Sequence, residues 1–446
     1  MPVISTASSP ISTTPALKED TKIPKLYGVS DIRQDQVERA NILVAGAVAI
    51  DSSCDYAPVT EHCTNIAPVP QTSNPAIIKQ NLGGVGHNVA LAASYVGSSV
   101  VFCSVVADDL SGQTAISMLK REKLSTMGIQ ILPPMLGLRT AQYIAVNDRK
   151  KDLVLAMADM GILELSDRDL NFDTFWDPIF MRTKPKWLVI DANWSPGVLA
   201  RWVASAKRYG ARIAFEPVST AKAKRIFSKI STRTEATAVI GFSDSFPNHL
   251  IDVAAPNNME LASMYSAARD AGLFDSPGWW HVIDGLGMSN TGSREQLISV
   301  TSKSLVDQGV PQQSIQLLPF IPFILTKLGS QGVLVSQLLQ PDDPRLTCPD
   351  AAPYILGRAS RNGLVGGVYL RLFAPDQVLT GKEVVSVNGA GDTLLGVAIA
   401  GLAREPGTKD YRLENIISVA QKASVKTLKS PDSVNADIRS LAMLLK

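Results

Sequence analysis

The sequence predicts an α/β fold built on a largely parallel sheet buried on both faces, with a smaller half-exposed sheet beside it. Three observations predict it. Unbroken apolar, β-branched runs recur along the chain, at Asn41 to Asp51, Val100 to Val106, Trp187 to Asp191, Arg212 to Phe215 and Ile251 to Pro256. Continuous apolar strands suit a parallel sheet covered on both sides. Helical patterns rich in small residues separate several of these runs. Finally, two alternating segments, Thr140 to Val146 and Leu153 to Met157, flank the polar stretch Asn147 to Asp152, the pattern of an antiparallel, half-exposed hairpin.

At 446 residues the chain can hold one large α/β domain with a small appendage, or two domains of average size. Hydrophobic residues at 45% and charged residues at 19% describe a well-cored soluble protein. The formal net charge is +2 with no Lys/Arg block, so neither a nucleic acid nor a membrane surface is an expected partner. The apolar run Leu317 to Leu325 is too short to span a bilayer and is broken by Pro319 and Pro322. Cys54, Cys63, Cys103 and Cys348 are scattered, fitting neither a disulfide framework nor a zinc spacing, and His62 beside Cys63 lacks a second pair. A reducing, cytoplasmic setting is expected. Residues 1–38, rich in Ser, Thr, Pro and charge, read as a disordered arm or linker, and residues 39–446 as the folded domain.

Taken in order, Asn41 to Asp51 reads as one buried strand. It places Asp51 at a carboxyl end of the sheet, where open α/β folds bind ligands, although an Asp in a turn is the ordinary alternative. Asn81-Leu82-Gly83-Gly84-Val85-Gly86-His87-Asn88 is neither a Walker A loop nor a dinucleotide fingerprint. It reads as a Gly-rich turn feeding a helix from Val89 to Tyr95. Asn193 lies just beyond the strand Trp187 to Asp191, and Glu216 closes the strand from Arg212. Asn257 and Glu260 open a helix with the spacing of a capping box. Residues 262–316, with Trp279-Trp280-His281, fit no strand–helix rhythm. Ile324 to Val335 reads as strand, turn, strand, with Lys327 pointing outward. Residues 337–383 look like an insertion with two strands, the second near Gly366 to Phe373. A final helix runs over Gln421 to Leu428, before a loop at Lys429 to Val434.

The chemistry concentrates in Val384-Val385-Ser386-Val387-Asn388-Gly389-Ala390-Gly391-Asp392-Thr393. A β-branched run enters, a Gly-rich turn follows, and a small-residue helix leaves. First-turn amides of such a helix have no intrahelical partner and favour an anion. A carboxylate there is out of place unless the anion is transient and Asp392 takes a proton from the attacking hydroxyl, as in phosphoryl transfer. The alternative is that Asp392 only caps the helix.

Gly389-Ala390-Gly391-Asp392 resembles the signature of the ribokinase-like (PfkB-type) carbohydrate kinases, although Ser386-Val387 stands where the family commonly has Asp-Thr. The resemblance implies a three-layer α/β/α sandwich with a small β-sheet lid, its strands around 51–80 and 139–160, and ATP, Mg²⁺ and a monovalent cation such as K⁺ as cofactors. It implies that Asp392 is the catalytic base and that Gly389, Ala390 and Gly391 form the anion hole. Asp51, Gly83, Gly84 and Asn88 would bind the substrate. Arg139 and Tyr143 would contact it from the lid or be surface residues. Asn257, Thr326, Gly329 and Gly332 would face the nucleotide, and Glu260 would order Mg²⁺ through water, since one carboxylate suffices for a hydrated ion. Gly83 to Ala90, Met157 to Met160, Asp191 to Asn193, and Glu216 to Ser219 with Lys222 look most like the eukaryotic pseudouridine kinase branch. That adds Asn193 to the substrate side and implies ATP-dependent conversion of pseudouridine to its 5′-phosphate. It also implies a functional link to a pseudouridine-5′-phosphate glycosidase, a module not found in this sequence, and a homodimer formed through the lid. Other sugar or nucleoside kinases (ribokinase, adenosine kinase, fructokinase), or a non-catalytic sugar-binding protein of the same fold, are the competing readings.

Overall fold

A computed structural model describes residues 39–57, 65–134, 137–231, 236–288, 293–359, 363–404 and 412–445. The N-terminal arm and the His62–Cys63 pair lie outside the described residues.

The strands in chain order are β1 (Ile42–Ala45), β2 (Ala49–Tyr56), β3 (Ala76–Gly83), β4 (Val100–Ala107), β5 (Gly128–Leu132), β6 (Gln142–Asn147), β7 (Leu153–Asp159), β8 (Trp187–Asp191), β9 (Arg212–Glu216), β10 (Lys229–Ser231), β11 (Ala236–Ala238), β12 (Val253–Ala254), β13 (Phe323–Lys327), β14 (Val333–Leu339), β15 (Ile355–Arg358) and β16 (Gly367–Phe373). Ten of them form one sheet in the order β15-β16-β14-β13-β12-β9-β8-β1-β4-β5. It is parallel from β13 to β5 and antiparallel across β14, β16 and β15. Strand β1 lies between β4 and β8, so the order reverses there and leaves a crevice at the carboxyl ends.

Side chains along each central strand alternate between two cores. Leu43 and Ala45, Leu188 and Ile190, and Ile213 and Phe215 face one. Ile42 and Val44, Trp187 and Val189, and Ala214 face the other. Helices Phe172–Phe175, Asp177–Thr183, Pro196–Arg208 and those of the 258–317 region supply the first layer, and helices Val85–Tyr95, Ala390–Leu402 and Arg412–Leu428 the second. This is a three-layer α/β/α sandwich. A second, four-stranded sheet, β3-β2-β6-β7, stands apart from it.

Four expectations are corrected. The apolar run Asn41 to Asp51 is not one strand, because the chain breaks at Gly46 to Val48 and resumes as β2 of the small sheet. Asp51 therefore comes from the small sheet. The helix expected at Val89 begins at Val85, with Gly84 at its N-cap in a positive-φ conformation (98°) that favours glycine. Val384 to Val387 forms no strand: Val385 and Ser386 donate to the Leu428 carbonyl at 2.8 and 3.3 Å, and no sheet neighbour remains for them. The described residues between 262 and 316 are largely helical, in pieces with their own stop signals. Ser276 caps Pro277–Gly285 and Ser302 caps Lys303–Asp307, and Trp279 Nε1 donates to the Gln316 carbonyl at 2.8 Å. Helices this brief show little periodicity.

The β1–β2 break needs close backbone approach. A Cβ at Gly86 would lie 2.6 Å from the Gly46 backbone, whereas one at Gly197 would meet nothing within 4 Å. Gly86→Ala should cost about 1–3 kcal/mol, as overpacking does, and Gly197→Ala in its helix should be neutral or slightly stabilising. Equal denaturant midpoints for the two variants would contradict this packing.

Candidate active site

The carboxyl ends of the parallel strands bring four polar groups into one crevice: Asp191 from β8, Glu216 from β9, Asn257 after β12 and Lys327 from β13. Asp191 is 2% exposed and holds the crevice together. Its Oδ2 accepts from the amides of Ala47 (2.8 Å) and Gly86 (3.0 Å), and its Oδ1 from the amide of Asn193 (3.0 Å). Burial pushes its pKa up, opposed by these donors. Asn193 is also buried, with its Oδ1 accepting from Lys222 Nζ at 2.7 Å.

Asp392 sits in the first turn of helix Ala390–Leu402, which has no side-chain cap at all. Its Oδ2 instead accepts from Asn88 Nδ2 at 2.8 Å. The capping alternative is thereby removed, and the first-turn amides stay open to a ligand. Gly389 precedes them at φ 73°, with the Ser433 carbonyl against its Cα, so a side chain there would collide. Burial pushes the Asp392 pKa up to about 6; the Asn88 hydrogen bond and Lys327 oppose the rise, and Asp191 and Glu260 add to it.

Asp51 faces the same space from β2, opposite Asn81 of β3 and Tyr143 of β6. Its carboxylate rests on the Cα of Gly83, leaving no room for a side chain there. Burial raises its pKa to about 6, with His87 lowering and Asp392 raising it. Two carboxyl groups thus reach the crevice, Asp51 from the small sheet and Asp392 from a helix, each titrating well above the usual carboxylate range. Arg139 is remote from this chemistry in its contacts: it pairs with Asp159 at 2.7 Å, the two side chains 67% and 40% exposed.

Lys327 does not point outward. Its Nζ donates to both Glu216 oxygens at 2.8 Å, and it would lie 3.3 Å from a Cβ on Gly391. Burial alone would lower the Lys327 pKa, but Glu216, Glu260 and Asp392 outweigh it and hold the ammonium above its usual value. Thr326, one residue earlier, takes the opposite face: it is fully buried and its hydroxyl has no hydrogen-bond partner. The Thr326 side chain thus faces away from the crevice, and the strand alternation turns Lys327 into it. Glu216 and Lys327 carry no motif of their own; their pairing is visible only once β9 and β13 flank β12.

A cavity of about 380 Å³ opens beside the anion-binding turn, lined by Gly329 and Gly332, by Ala390 and Gly391, and by an apolar wall that includes Val378 and Val387. Asn257 and Thr326 are not among its lining residues. A larger cavity of about 520 Å³ lies at the opposite edge of the sheet, near the starts of β8, β9 and β13, away from these groups. Asn257 and Glu260 form a complete capping box, with Glu260 Oε2 accepting from the Asn257 amide at 2.8 Å and Asn257 Oδ1 from those of Met259 and Glu260 at 2.9 Å. One Glu260 oxygen remains, and among the described residues no group of three or more His, Cys, Asp or Glu side chains converges as a metal site. This donor set fits a hydrated divalent ion carried by phosphates and touched by one carboxylate through water, not a protein cage.

The raised Asp392 pKa has a signed consequence. The folded state binds that proton more tightly than the unfolded chain, so stability falls as pH rises from about 4 to about 6 and stays lowered above. Asp392→Asn should gain about 1–3 kcal/mol at pH 8 and nothing at pH 4. Denaturant melts of both proteins at the two pH values test it, and a gain of equal size at pH 4 would refute it.

Residues 44–184 match the pfkB family carbohydrate kinase. A pseudouridine-metabolizing bifunctional protein of Schizosaccharomyces pombe is 27% identical over 407 residues, covering 90% of this chain and 48% of that protein; the chain thus spans about half of that relative's length. The pseudouridine kinase of Escherichia coli is 23% identical over 252 residues, 54% of this chain and 77% of that protein. Among solved structures, Arabidopsis thaliana ribokinase complexed with ribose and ATP superposes with a TM-score of 0.55 at 13% identity, over 92% of this chain and 99% of that one. No helix of the described residues is long and apolar enough to cross a membrane. The fold is ribokinase-like, and the stretch from residue 44 to residue 184 is similar to the pfkB family of carbohydrate kinases.

Proposed function

We propose that this domain transfers the γ-phosphoryl group of ATP to a hydroxyl of a nucleoside or sugar, with the 5′-hydroxyl of pseudouridine as the preferred acceptor. The observation that carries the proposal is Asp392: a partly desolvated carboxylate, held by Asn88, at a turn of open amides beside a nucleotide-sized cavity. The likeness to the Schizosaccharomyces pombe pseudouridine-metabolizing protein and to the Escherichia coli pseudouridine kinase supports pseudouridine as the acceptor.

In this mechanism the acceptor lies between the two sheets, its hydroxyls bound by Asp51, by Asn88 and by the backbone that Gly83 and Gly84 leave open, with Asn193 at the edge. The free Oδ1 of Asp392 removes the hydroxyl proton as that oxygen bonds to the γ-phosphorus. The bond from the γ-phosphorus to the β–γ bridging oxygen breaks, and ADP leaves with its electron pair. The amides of Ala390 and Gly391, together with the Lys327 ammonium, meet the charge that builds on the phosphoryl oxygens. A divalent ion, when bound, would neutralise the phosphates, with Glu260 as its protein contact through water. The apolar wall at Val378 and Val387 suits a nucleobase, and Gly329 and Gly332 let backbone approach it. The small sheet acts as the lid that excludes water.

The lid's outer strands display Ile77 and Ile78 on β3 and Leu155 and Met157 on β7, all more than half exposed. A second copy of the chain covering them would form the dimer. A combined Ile78→Lys and Leu155→Lys variant should then have half the mass of the parent by light scattering, and a parent already monomeric at micromolar concentration would dispose of the idea.

The direct assay measures ADP release with ATP and Mg²⁺ against pseudouridine, uridine, adenosine, ribose and fructose. Pseudouridine should give the highest kcat/KM. Asp392→Asn should lose about 10³-fold or more in kcat with acceptor binding nearly intact, and Lys327→Met about 10²-fold, in the range for a lost oxyanion donor. Preference for a free sugar would discard pseudouridine while keeping the base. Binding without turnover by the parent would favour a non-catalytic sugar-binding protein.

A further inference from the structure

We propose that His87 is a positioning residue for Asp392, acting through the Asn88 amide; this rests on the reading of Asp392 as the base. His87 is 1% exposed. Its Nδ1 lies 3.2 Å from Asn88 Oδ1, and its Nε2 lies 2.7 Å from Glu122 Oε2. Asn88 Nδ2 in turn lies 2.8 Å from Asp392 Oδ2. These four side chains form one continuous line from the end of helix Leu110–Arg121 to the carboxylate.

Donor and acceptor roles along the line are fixed from the Asp392 end. The Asp392 carboxylate only accepts, so Asn88 must turn its NH₂ toward it and its carbonyl oxygen toward His87. His87 Nδ1 must then carry hydrogen, because the oxygen it faces cannot donate. That leaves Nε2 against Glu122 Oε2, and the 2.7 Å contact is satisfied by one proton held between them. A flipped Asn88 would set oxygen against carboxylate and NH₂ against a protonated ring nitrogen, two repulsive contacts at once. His87 therefore selects the Asn88 rotamer that serves Asp392. One Asn88 N–H is spent on Asp392 Oδ2, which leaves Oδ1 of the base for the acceptor hydroxyl and the second Asn88 N–H for an acceptor oxygen.

The surroundings support this use. His87 packs edge-on to Phe102 at 6.4 Å between centroids, and its amide donates to the Ala47 carbonyl at 3.0 Å, so the ring has little freedom to turn. The charged groups facing it are Glu122 and Asp51, and those facing Asp392 are Lys327, Asp191, Glu216, Glu260 and Asp51. None of these others donates to Asp392; the oriented amide does.

The test is the pH dependence of kcat/KM for the parent, His87→Leu, His87→Gln and Glu122→Gln, in the full chain with ATP and the best acceptor. Loss of the oriented donor removes an interaction that favours ionised Asp392, so the acid limb of His87→Leu should move up by about 0.5–1 pH unit, with kcat down about 10–100-fold and KM for ATP within about twofold. His87→Gln, which can still donate to Asn88, should recover part of both. Glu122→Gln should show a smaller shift in the same direction. An unmoved acid limb in a folded His87→Leu variant overturns the proposal. Should that variant fail to fold, ¹⁵N NMR of the parent decides: hydrogen on Nδ1 of His87 supports the line, and a bare Nδ1 overturns it. Activity retained by Asp392→Asn would instead remove the base reading itself, an outcome separate from any result at His87.

Discussion

The crevice depends on one buried carboxylate. Asp191 closes β8 and receives the amides of Ala47 and Gly86 on one oxygen and that of Asn193 on the other. Those amides belong to the β1–β2 junction, the start of helix Val85–Tyr95 and the loop after β8. A single side chain thus sets where the chain leaves the central sheet for the small one and where the helix bearing His87 and Asn88 begins. Removing it would strand three buried amides, each costly to leave unpaired. The small residues nearby follow from the same constraint. Gly46 lies under the Asp191 carboxylate and Gly86 against Gly46, so any Cβ there would push the amides off their acceptor.

The second constraint is charge. Asp51, Glu216, Glu260 and Asp392 bring four carboxyl groups toward a crevice whose central cation is Lys327. Burial raises the pKa of Asp51, Glu216 and Asp392, and Lys327 offsets part of that rise for Glu216 and Asp392. Both Glu216 oxygens accept from Lys327 Nζ at 2.8 Å. In the proposed mechanism the phosphoryl group would therefore meet a cation already held in place. In the proposed mechanism the raised pKa also bears on the pairing of Asp392 with an anion-binding turn: the carboxylate would lose its repulsion for the phosphoryl group once it had taken the hydroxyl proton.

Much of the central sheet was legible because each strand is apolar on both faces, and that signal survives whatever packs on it. Two of the errors share one cause, namely that apolar runs report burial and not which sheet, if any, buries them. Asn41 to Asp51 is continuous in hydrophobicity, so the break at Gly46 is silent until Asp191 is placed against it. Val384 to Val387 has strand propensity but no free sheet edge, and Val387 ends 72% exposed. Lys327 and Thr326 were read one position out of phase because phase in a strand is set by its neighbours, here β12 and β14. The Gly389 to Asp392 turn was legible for the opposite reason. Its glycines, its small-residue helix and its misplaced carboxylate are local features that no distant contact was needed to interpret. Asn88 was legible beside it, whereas His87 and Glu122 were not, since 35 residues separate them and nothing local links the pair.

The two helices that carry the proposed base and its amide partner must approach unusually closely. A Cβ on Gly396 would lie 2.6 Å from the Val89 carbonyl and 2.9 Å from the Ala92 side chain, so glycine at 396 sets the spacing at which Asn88 reaches Asp392. Asp392, Asn88 and His87 thus ride on one rigid helix pair, docked on the apolar core that includes Val89, Leu395 and Ile399. Asp51 rides on the small sheet, which touches the helices Val85–Tyr95 and Leu110–Arg121 through the end of β3 near Leu82 and through β2, while Ile77, Ile78, Leu155 and Met157 of its outer strands are exposed. Movement of that sheet would carry Asp51 while leaving Asp392, Asn88 and the Gly389–Asp392 turn fixed. In the proposed mechanism, chemistry would thus sit where packing is tight and acceptor capture where the structure can open.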